Sequence, residues 1–258
     1  MIILENVKKK YGTKEALKGL SLTIPEGKIF GFLGHNGAGK STTIKMLVSI
    51  TEPTSGNILF DGKKLEDNRL EIKKRIGYVP DTPDIFLQLT AMEYWNLIAA
   101  AFDLSEDKMN QQINYLADLF DIKHQVNNEI DSFSHGMRQK VIVIGALLSN
   151  PDIWILDEPL QGLDPQAAYD LKELMKEHTK NGKTVIFSTH ILDTAEQLCD
   201  ELAILKHGEL IYNGSVSDLL EEHPEKSLER IYLEMIGREA EQSHSNEEES
   251  DFGGQEDE

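Results

Sequence analysis

The octapeptide Gly34-His35-Asn36-Gly37-Ala38-Gly39-Lys40-Ser41 fits the pattern G-x-x-x-x-G-K-[ST], follows an apolar run at residues 29–33 and precedes a helical pattern at 42–48. No other segment narrows the possible folds as far. Glycines at this spacing let the backbone wrap closely around a polyphosphate with its N–H groups turned inward, and a helix beginning directly after the loop adds partial positive charge. Lys40 is the residue placed to hold β- and γ-phosphates, and Ser41 the one to bind Mg²⁺. Gly34, His35, Asn36, Gly37, Ala38, Gly39 and Thr42 complete the cradle. By itself such a loop serves kinases, GTPases and transport ATPases alike.

Short apolar runs at residues 2–7, 20–24, 29–33, 76–79, 153–156, 184–187 and 202–205 read as strands. Asp164-Pro165 supplies an N-cap followed by Pro at the first helical position, opening a helix expected to end at Asn181-Gly182. Strand, helix, strand alternation implies a parallel sheet. Residues 91–148 differ in being helical almost throughout, with Ile113, Leu116, Ala117 and Phe120 on one stripe, which suggests a helical lobe inserted in an α/β core. Leu228, Ile231, Tyr232 and Met235 repeat that spacing, so the folded part is expected to close near Ile236.

The formal net charge is −19, of which −9 falls between Glu239 and Glu258, where no Lys or Arg occurs. Nucleic-acid binding draws its affinity from Lys and Arg, so this balance argues against DNA or RNA as a ligand. Residues 237–258 hold too little apolar surface to offset the entropy of ordering and read as an acidic, disordered tail, either for solubility or for docking. Cys199 is the only cysteine, which points to a reducing compartment and no disulfide within the chain. The longest apolar run, residues 141–148, is well short of the ~20 residues that span a bilayer. The first residues lack the pattern of a signal peptide.

The run Ile153-Trp154-Ile155-Leu156-Asp157-Glu158 ends an apolar strand in two carboxylates. Strand alternation points them in different directions, so they can hold different tasks. Given the phosphate loop, Asp157 is assigned to Mg²⁺ through water and Glu158 to the water that attacks the γ-phosphate. Without that loop, an acidic pair at a strand end is an ordinary surface feature.

Further along, Phe133-Ser134-His135-Gly136-Met137 resembles a divergent copy of the LSGGQ signature of ABC ATPases, placed just before the Walker B strand. Ser188-Thr189-His190 is similar to that family's H-loop and Gly162-Leu163-Asp164 to its D-loop, while Tyr11 stands where the family stacks an aromatic ring on adenine. These hallmarks occur in the family's order across nearly the whole folded chain. The resemblance implies an α/β P-loop NTPase fold of the ABC ATPase type over residues 1–236, with an antiparallel β subdomain and a helical subdomain inserted at about 82–150. It also implies ATP and Mg²⁺ as cofactors, Glu158, His190 and Lys40 as catalytic residues, and Ser41, Asp81 and Asp157 around the metal. Ser134, Gly136 and Asp164 would also bind nucleotide, the signature serine of one subunit facing the phosphate loop of the other, with two ATP molecules sandwiched between subunits. The implied partners are a second nucleotide-binding subunit, identical or related, and a separate transmembrane permease, with the chain cytoplasmic and peripheral on the inner face of the membrane.

Three positions depart from the family pattern. Asp81 stands where the Q-loop glutamine is expected and brings a charge without a donor; His135 and Met137 replace Gly and Gln in the signature. Together with the single-domain length, Asp81 and the segment 132–140 resemble bacterial exporters of the ABC-2 type. Ile85-Phe86-Leu87 lies where the family receives the permease, or simply packs on the helical lobe. Two alternatives remain open from sequence: a soluble ABC ATPase acting on ribosomes or DNA, and a regulatory module that senses ATP with little hydrolysis.

Overall fold

The structure, a computed structural model, describes residues 1–237. The chain opens with β1 (Ile2–Tyr11), β2 (Lys14–Ile24) and β3 (Ile29–Leu33), followed by α1 (Lys40–Leu47). Next come β4 (Ser55–Phe60), β5 (Lys63–Lys64), α2 (Arg69–Lys73) and β6 (Ile76–Val79). Three helices then follow without an intervening strand: α3 (Ala91–Ala101), α4 (Glu106–Leu119) and α5 (His135–Leu147). Alternation resumes with β7 (Ile153–Leu156), α6 (Pro165–Lys180), β8 (Thr184–Thr189), α7 (Leu192–Leu198) and β9 (Glu201–Lys206). The described chain ends with β10 (Glu209–Ser215), α8 (Val216–Glu221) and α9 (Leu228–Met235). The acidic stretch 239–258 lies outside the described residues.

The strands form two sheets. One is antiparallel, in the order β2-β1-β4-β5; the other has the order β10-β9-β3-β8-β7-β6, parallel except where β10 pairs antiparallel with β9 at one edge. Side chains of the larger sheet alternate between two cores. Phe30, Phe32, Ile153, Ile155 and Ile186 join a cluster with α1 and the antiparallel sheet, whereas Leu33, Trp154, Leu156, Val185 and Phe187 face helices α3 to α7 and α9. A sheet covered on both faces needs strands that are apolar throughout, and β3, β7 and β8 are buried at every position.

That requirement explains which strands were legible in sequence. The runs at 29–33, 76–79 and 153–156 match β3, β6 and β7 end to end. By contrast, β4 and β10 went unread, because each keeps one face toward solvent and mixes in Gly, Asn and Ser. Strand β1 runs past the expected end through Lys8-Lys9-Lys10, held by pairing with β2 rather than by burial.

The segment 91–148 contains α3, α4, two short 3₁₀ turns (Lys123–Gln125 and Ile130–Ser132) and α5. A full capping box starts α3, with Thr90 Oγ1 accepting from Glu93 N–H and the Glu93 carboxylate accepting from Thr90 N–H. Trp95, fully buried, donates its indole N–H to the Val141 carbonyl at 2.9 Å and so fastens α3 to α5. On its other side α5 approaches β6 so closely that a Cβ on Gly77 would lie 2.4 Å from the Ala146 carbonyl oxygen. The helices are thereby tied to the sheet edge rather than tethered by loops alone.

Among the polar groups of the core, His178 on α6 stands against Trp154, with ring centroids 5.6 Å apart. Burial first, and then the Lys183 charge, push its pKa down to about 4. Its ordinary value is near 6.5, so the unfolded chain binds this proton more readily across that window and stability falls as pH drops from 6.5 to 4. Between pH 7 and pH 4 the unfolding free energy of the wild type is expected to fall by about 3 kcal/mol more than that of His178→Phe, measured by urea titration at each pH.

Candidate functional site

Four strands of the parallel sheet deliver their following loops to one edge. β3 leads into the phosphate loop, β6 into Asp81, β7 into Asp157 and Glu158, and β8 into His190. Ligands of open parallel sheets bind at this carboxyl edge, because side chains from several strands converge there without obstruction. An open cavity of about 470 Å³ occupies it, lined by the loop from His35 to Thr42 together with Tyr11, Lys14, Asp81, Thr82, His135, Glu158 and Gln161.

The loop takes the shape that its glycines permit. Gly39, directly before α1, has φ 114°, and a Cβ there would also lie 2.8 Å from Leu17 Cδ2. At Gly34 a Cβ would lie 2.5 Å from the Leu205 carbonyl oxygen, so β9 closes the loop from behind. The Lys40 ammonium, 5% exposed, donates to the Gly34 carbonyl at 2.6 Å and reaches that of His35 at 3.5 Å. Lys40 thus braces the loop that it serves.

Asp157 is fully buried at the end of β7. Its Oδ1 accepts from Ser41 Oγ at 3.0 Å and from Ser188 Oγ at 2.5 Å, and Ser188 Oγ in turn accepts the Glu158 backbone N–H at 2.9 Å. Burial raises the Asp157 pKa, and the two hydroxyls and the nearby Lys45 charge oppose that rise while the Asp81 charge adds to it. Asp157 Oδ2 is buried without a hydrogen-bond partner. A buried carboxylate oxygen left unpaired beside a serine hydroxyl is the donor set expected of Mg²⁺, which takes few protein ligands and fills its octahedron with water and phosphate oxygens. No cluster of three or more His, Cys, Asp or Glu suited to a metal occurs among the described residues, and such a site does not require one.

The next residue faces the other way. Glu158 holds a left-handed backbone (φ 49°), an unfavourable conformation for a non-glycine residue that orients its carboxylate across the cavity wall. Its Oε1 lies 3.2 Å from Lys40 Nζ and its Oε2 lies 3.0 Å from His190 Nδ1. An ionised carboxylate only accepts, so Nδ1 carries the proton in that contact. Lys40, Glu158 and His190 therefore form one row, with Asp157, Ser41 and Ser188 beneath it.

Other expected residues sit elsewhere. Ser134 caps α5, its Oγ accepting from Met137 N–H at 3.3 Å. Asp164 caps α6 through Ala167 N–H at 2.9 Å and pairs with Lys140 at 2.8 Å, contacts that hold its pKa below the ordinary carboxylate range. Neither lines the phosphate-loop cavity, and neither does Gly136, which is pressed against the D-loop: a Cβ on it would lie 2.4 Å from the Gly162 carbonyl oxygen. Tyr11, 48% exposed, stands at the cavity rim with the Lys9 ammonium 5.0 Å above its ring. Sequence reasoning did not find Gln161 or the bridging hydroxyl of Ser188. Ser188 was legible only as part of a loop motif, since nothing in its spacing tells which way a hydroxyl in a buried strand points.

The sequence profile of the family described as ABC transporter matches residues 17–161. The ABC-type transporter ATP-binding protein EcsA of Bacillus subtilis (strain 168) is 38% identical over 232 residues, covering 89% of this chain and 94% of that one. Nod factor export ATP-binding protein I of Rhizobium sp. (strain N33) is 35% identical over 222 residues, 86% of this chain and 73% of that one. Among solved structures, an ATP-binding subunit of an ABC transporter superposes with a TM-score of 0.85 at 33% identity, covering 92% of this chain and 99% of that one. The ATP-binding cassette MJ0796, dimeric in a post-hydrolysis state bound to ADP and Pi, superposes with a TM-score of 0.76 at 27% identity over 84% of this chain and 99% of its own. With the phosphate loop, the paired carboxylates and His190 gathered at one sheet edge, these similarities make the chain a member of the ABC transporter ATP-binding proteins, an ATP-binding and ATP-hydrolysing subunit.

Proposed function

We propose that the chain works as one half of an ATP-driven dimer, most simply a homodimer, that powers a separate transmembrane permease. The observation that carries this reading is the row Lys40–Glu158–His190 set over Asp157 and Ser41. The amides from Gly34 to Gly39 and of Thr42 wrap the phosphates, Lys40 neutralises the β- and γ-phosphates, and Tyr11 stacks on the adenine. Mg²⁺ bound at Ser41 and Asp157, with Asp81 at hand, would offset charge on the phosphate oxygens. Glu158 polarises the attacking water, and His190 holds that carboxylate in place.

Ser134, Gly136 and Asp164 are proposed to act on the ATP of the second subunit, which accords with their absence from the cavity of their own chain. The domain division proposed is 1–236, with the helical subdomain at about 82–150. No helix among the described residues is long and apolar enough to cross a membrane, and the pathway is proposed to belong to a separate membrane-embedded partner. Phe86, 48% exposed beside Tyr94, offers that partner an apolar contact. We place the chain on the cytoplasmic face of the membrane and assign it to export, a direction supported by the Nod factor export relative. Nucleic acid is not proposed as a partner, given the net charge of −19.

Three variants test the site. Glu158→Gln should retain ATP binding and hydrolyse it about 10²-fold or more slowly, followed by phosphate release; unchanged turnover would remove Glu158 from the role of base. Lys40→Ala should raise the Kd for MgATP by about tenfold or more, the scale of a lost charge-assisted hydrogen bond, read by equilibrium binding of a fluorescent ATP analogue. Asp81→Asn should raise the Mg²⁺ concentration giving half-maximal turnover several-fold, because one negative charge leaves the metal's surroundings. Capture of the permease from detergent-solubilised membranes tests the transport reading, and recovery with ribosomes instead would sink it.

A further inference from the structure

The loop at residues 80–90 links two regions that the proposed function asks to move together. It starts at Asp81 on the cavity wall, passes Phe86 (φ 52°), and ends at the Thr90 cap of α3. Its second half is bonded to the turn before α5: Ile130 N–H donates to the Leu89 carbonyl and Asp131 N–H to the Leu87 carbonyl, both at 2.9 Å. In its first half Pro83 is buried and Ile85 packs against the core, and the polar tie is made by Arg138, which bonds Asp84.

Arg138 lies in the first turn of α5, and its backbone N–H makes an early hydrogen bond of that helix, to the Ser134 carbonyl at 2.9 Å. Its guanidinium spreads over three partners. Nη1 donates to Asp84 Oδ1 at 2.7 Å; Nη2 donates to the Asp131 carbonyl at 2.7 Å and reaches Asp131 Oδ1 at 3.4 Å; Nε donates to the Ile130 carbonyl at 3.2 Å. The side chain is only 19% exposed, so these charge-assisted bonds are partly shielded from water. Only the planar fork of an arginine meets three directions at once; an ammonium is a single point.

We infer that Arg138 is a positioning residue for ATP hydrolysis, clamping the Asp81 loop through Asp84 to the turn that carries Ser134, His135 and Gly136. It does not line the phosphate-loop cavity itself. It makes the wall of one ATP cavity and the surface offered to the second subunit's ATP parts of one rigid unit, so that a displacement of either is passed to the other. This rests on the reading of Ser134 and Gly136 as contacts to the second subunit's ATP.

Steady-state MgATP hydrolysis by the full chain tests it, with wild type, Arg138→Ala, Arg138→Lys, Asp84→Asn, the Arg138→Ala/Asp84→Asn double variant and Ser134→Ala compared. Melting temperature is followed throughout, and nucleotide Kd is read in a Glu158→Gln background. Arg138→Ala and Asp84→Asn are each expected to lower kcat by about tenfold or more, with Kd within about twofold of the reference. The double variant should be no slower than the slower single one, and Arg138→Lys should fall between wild type and Arg138→Ala. Asp84 is exposed enough for its variant to fold if Arg138→Ala does not. The clamp is overturned by unchanged kcat in Asp84→Asn, by single effects that multiply in the double variant, or by Kd or melting temperature worsening in step with kcat. A wild type without turnover, or Ser134→Ala with full turnover, overturns instead the functional reading beneath it.

Discussion

Asp157 Oδ1 accepts two hydroxyl hydrogen bonds, one from Ser41 at the start of α1 and one from Ser188 inside β8. Those two contacts join the ends of β3, β7 and β8, three neighbouring strands whose loops make up the candidate site. Ser188 then accepts the backbone N–H of Glu158, which fixes where the second carboxylate begins. The phosphate loop, the carboxylate pair and the strand leading to His190 are thereby registered against one another by a single buried group.

Burying that group is costly, and the cost bears on function. A carboxylate in an apolar sheet raises its own pKa unless hydrogen bonds or a cation offset the loss of water. Two hydroxyls offset part of it, and Asp157 Oδ2 remains without a partner. The oxygen left without a partner is the one that a cation would meet, which fits the Mg²⁺ proposed to accompany the nucleotide. Glu158 shows a related compromise in its left-handed backbone, where conformational strain of about 1–3 kcal/mol turns its carboxylate toward Lys40 and His190.

The helical segment is attached by contacts of a different kind. Buried Trp95, bonded to the Val141 carbonyl, and the close backbone approach at Gly77 join α5 to α3 and to β6, whereas Arg138 and Lys140, two residues apart on one helix, reach out to the loops bearing Asp84 and Asp164. Tight apolar packing sets where the helix lies. The charged pairs tie its N-terminal half to those two loops, and exposed partners make such ties easier to remake than a packed core.

Sequence alone determined the phosphate loop, the apolar parallel strands and the family order of the motifs, because each depends on local chemistry: glycines where φ is positive, unbroken apolar runs where both faces are covered, a cap before a helix. It could not show the solvent-facing strands β4 and β10, whose mixed composition reads as loop, nor that Ser188 bridges Asp157 and Glu158. Arg138 was equally silent, since Asp84 lies far from it in the chain. Asp164 and Ser134 were legible as helix caps and as motif residues, and the structure shows the caps; the dimer contacts proposed for them would lie between chains and so beyond one fold. Tertiary structure decided the site itself, because a parallel sheet brings loops distant in sequence to one edge, and only there do Lys40, Glu158 and His190 come within reach of one another.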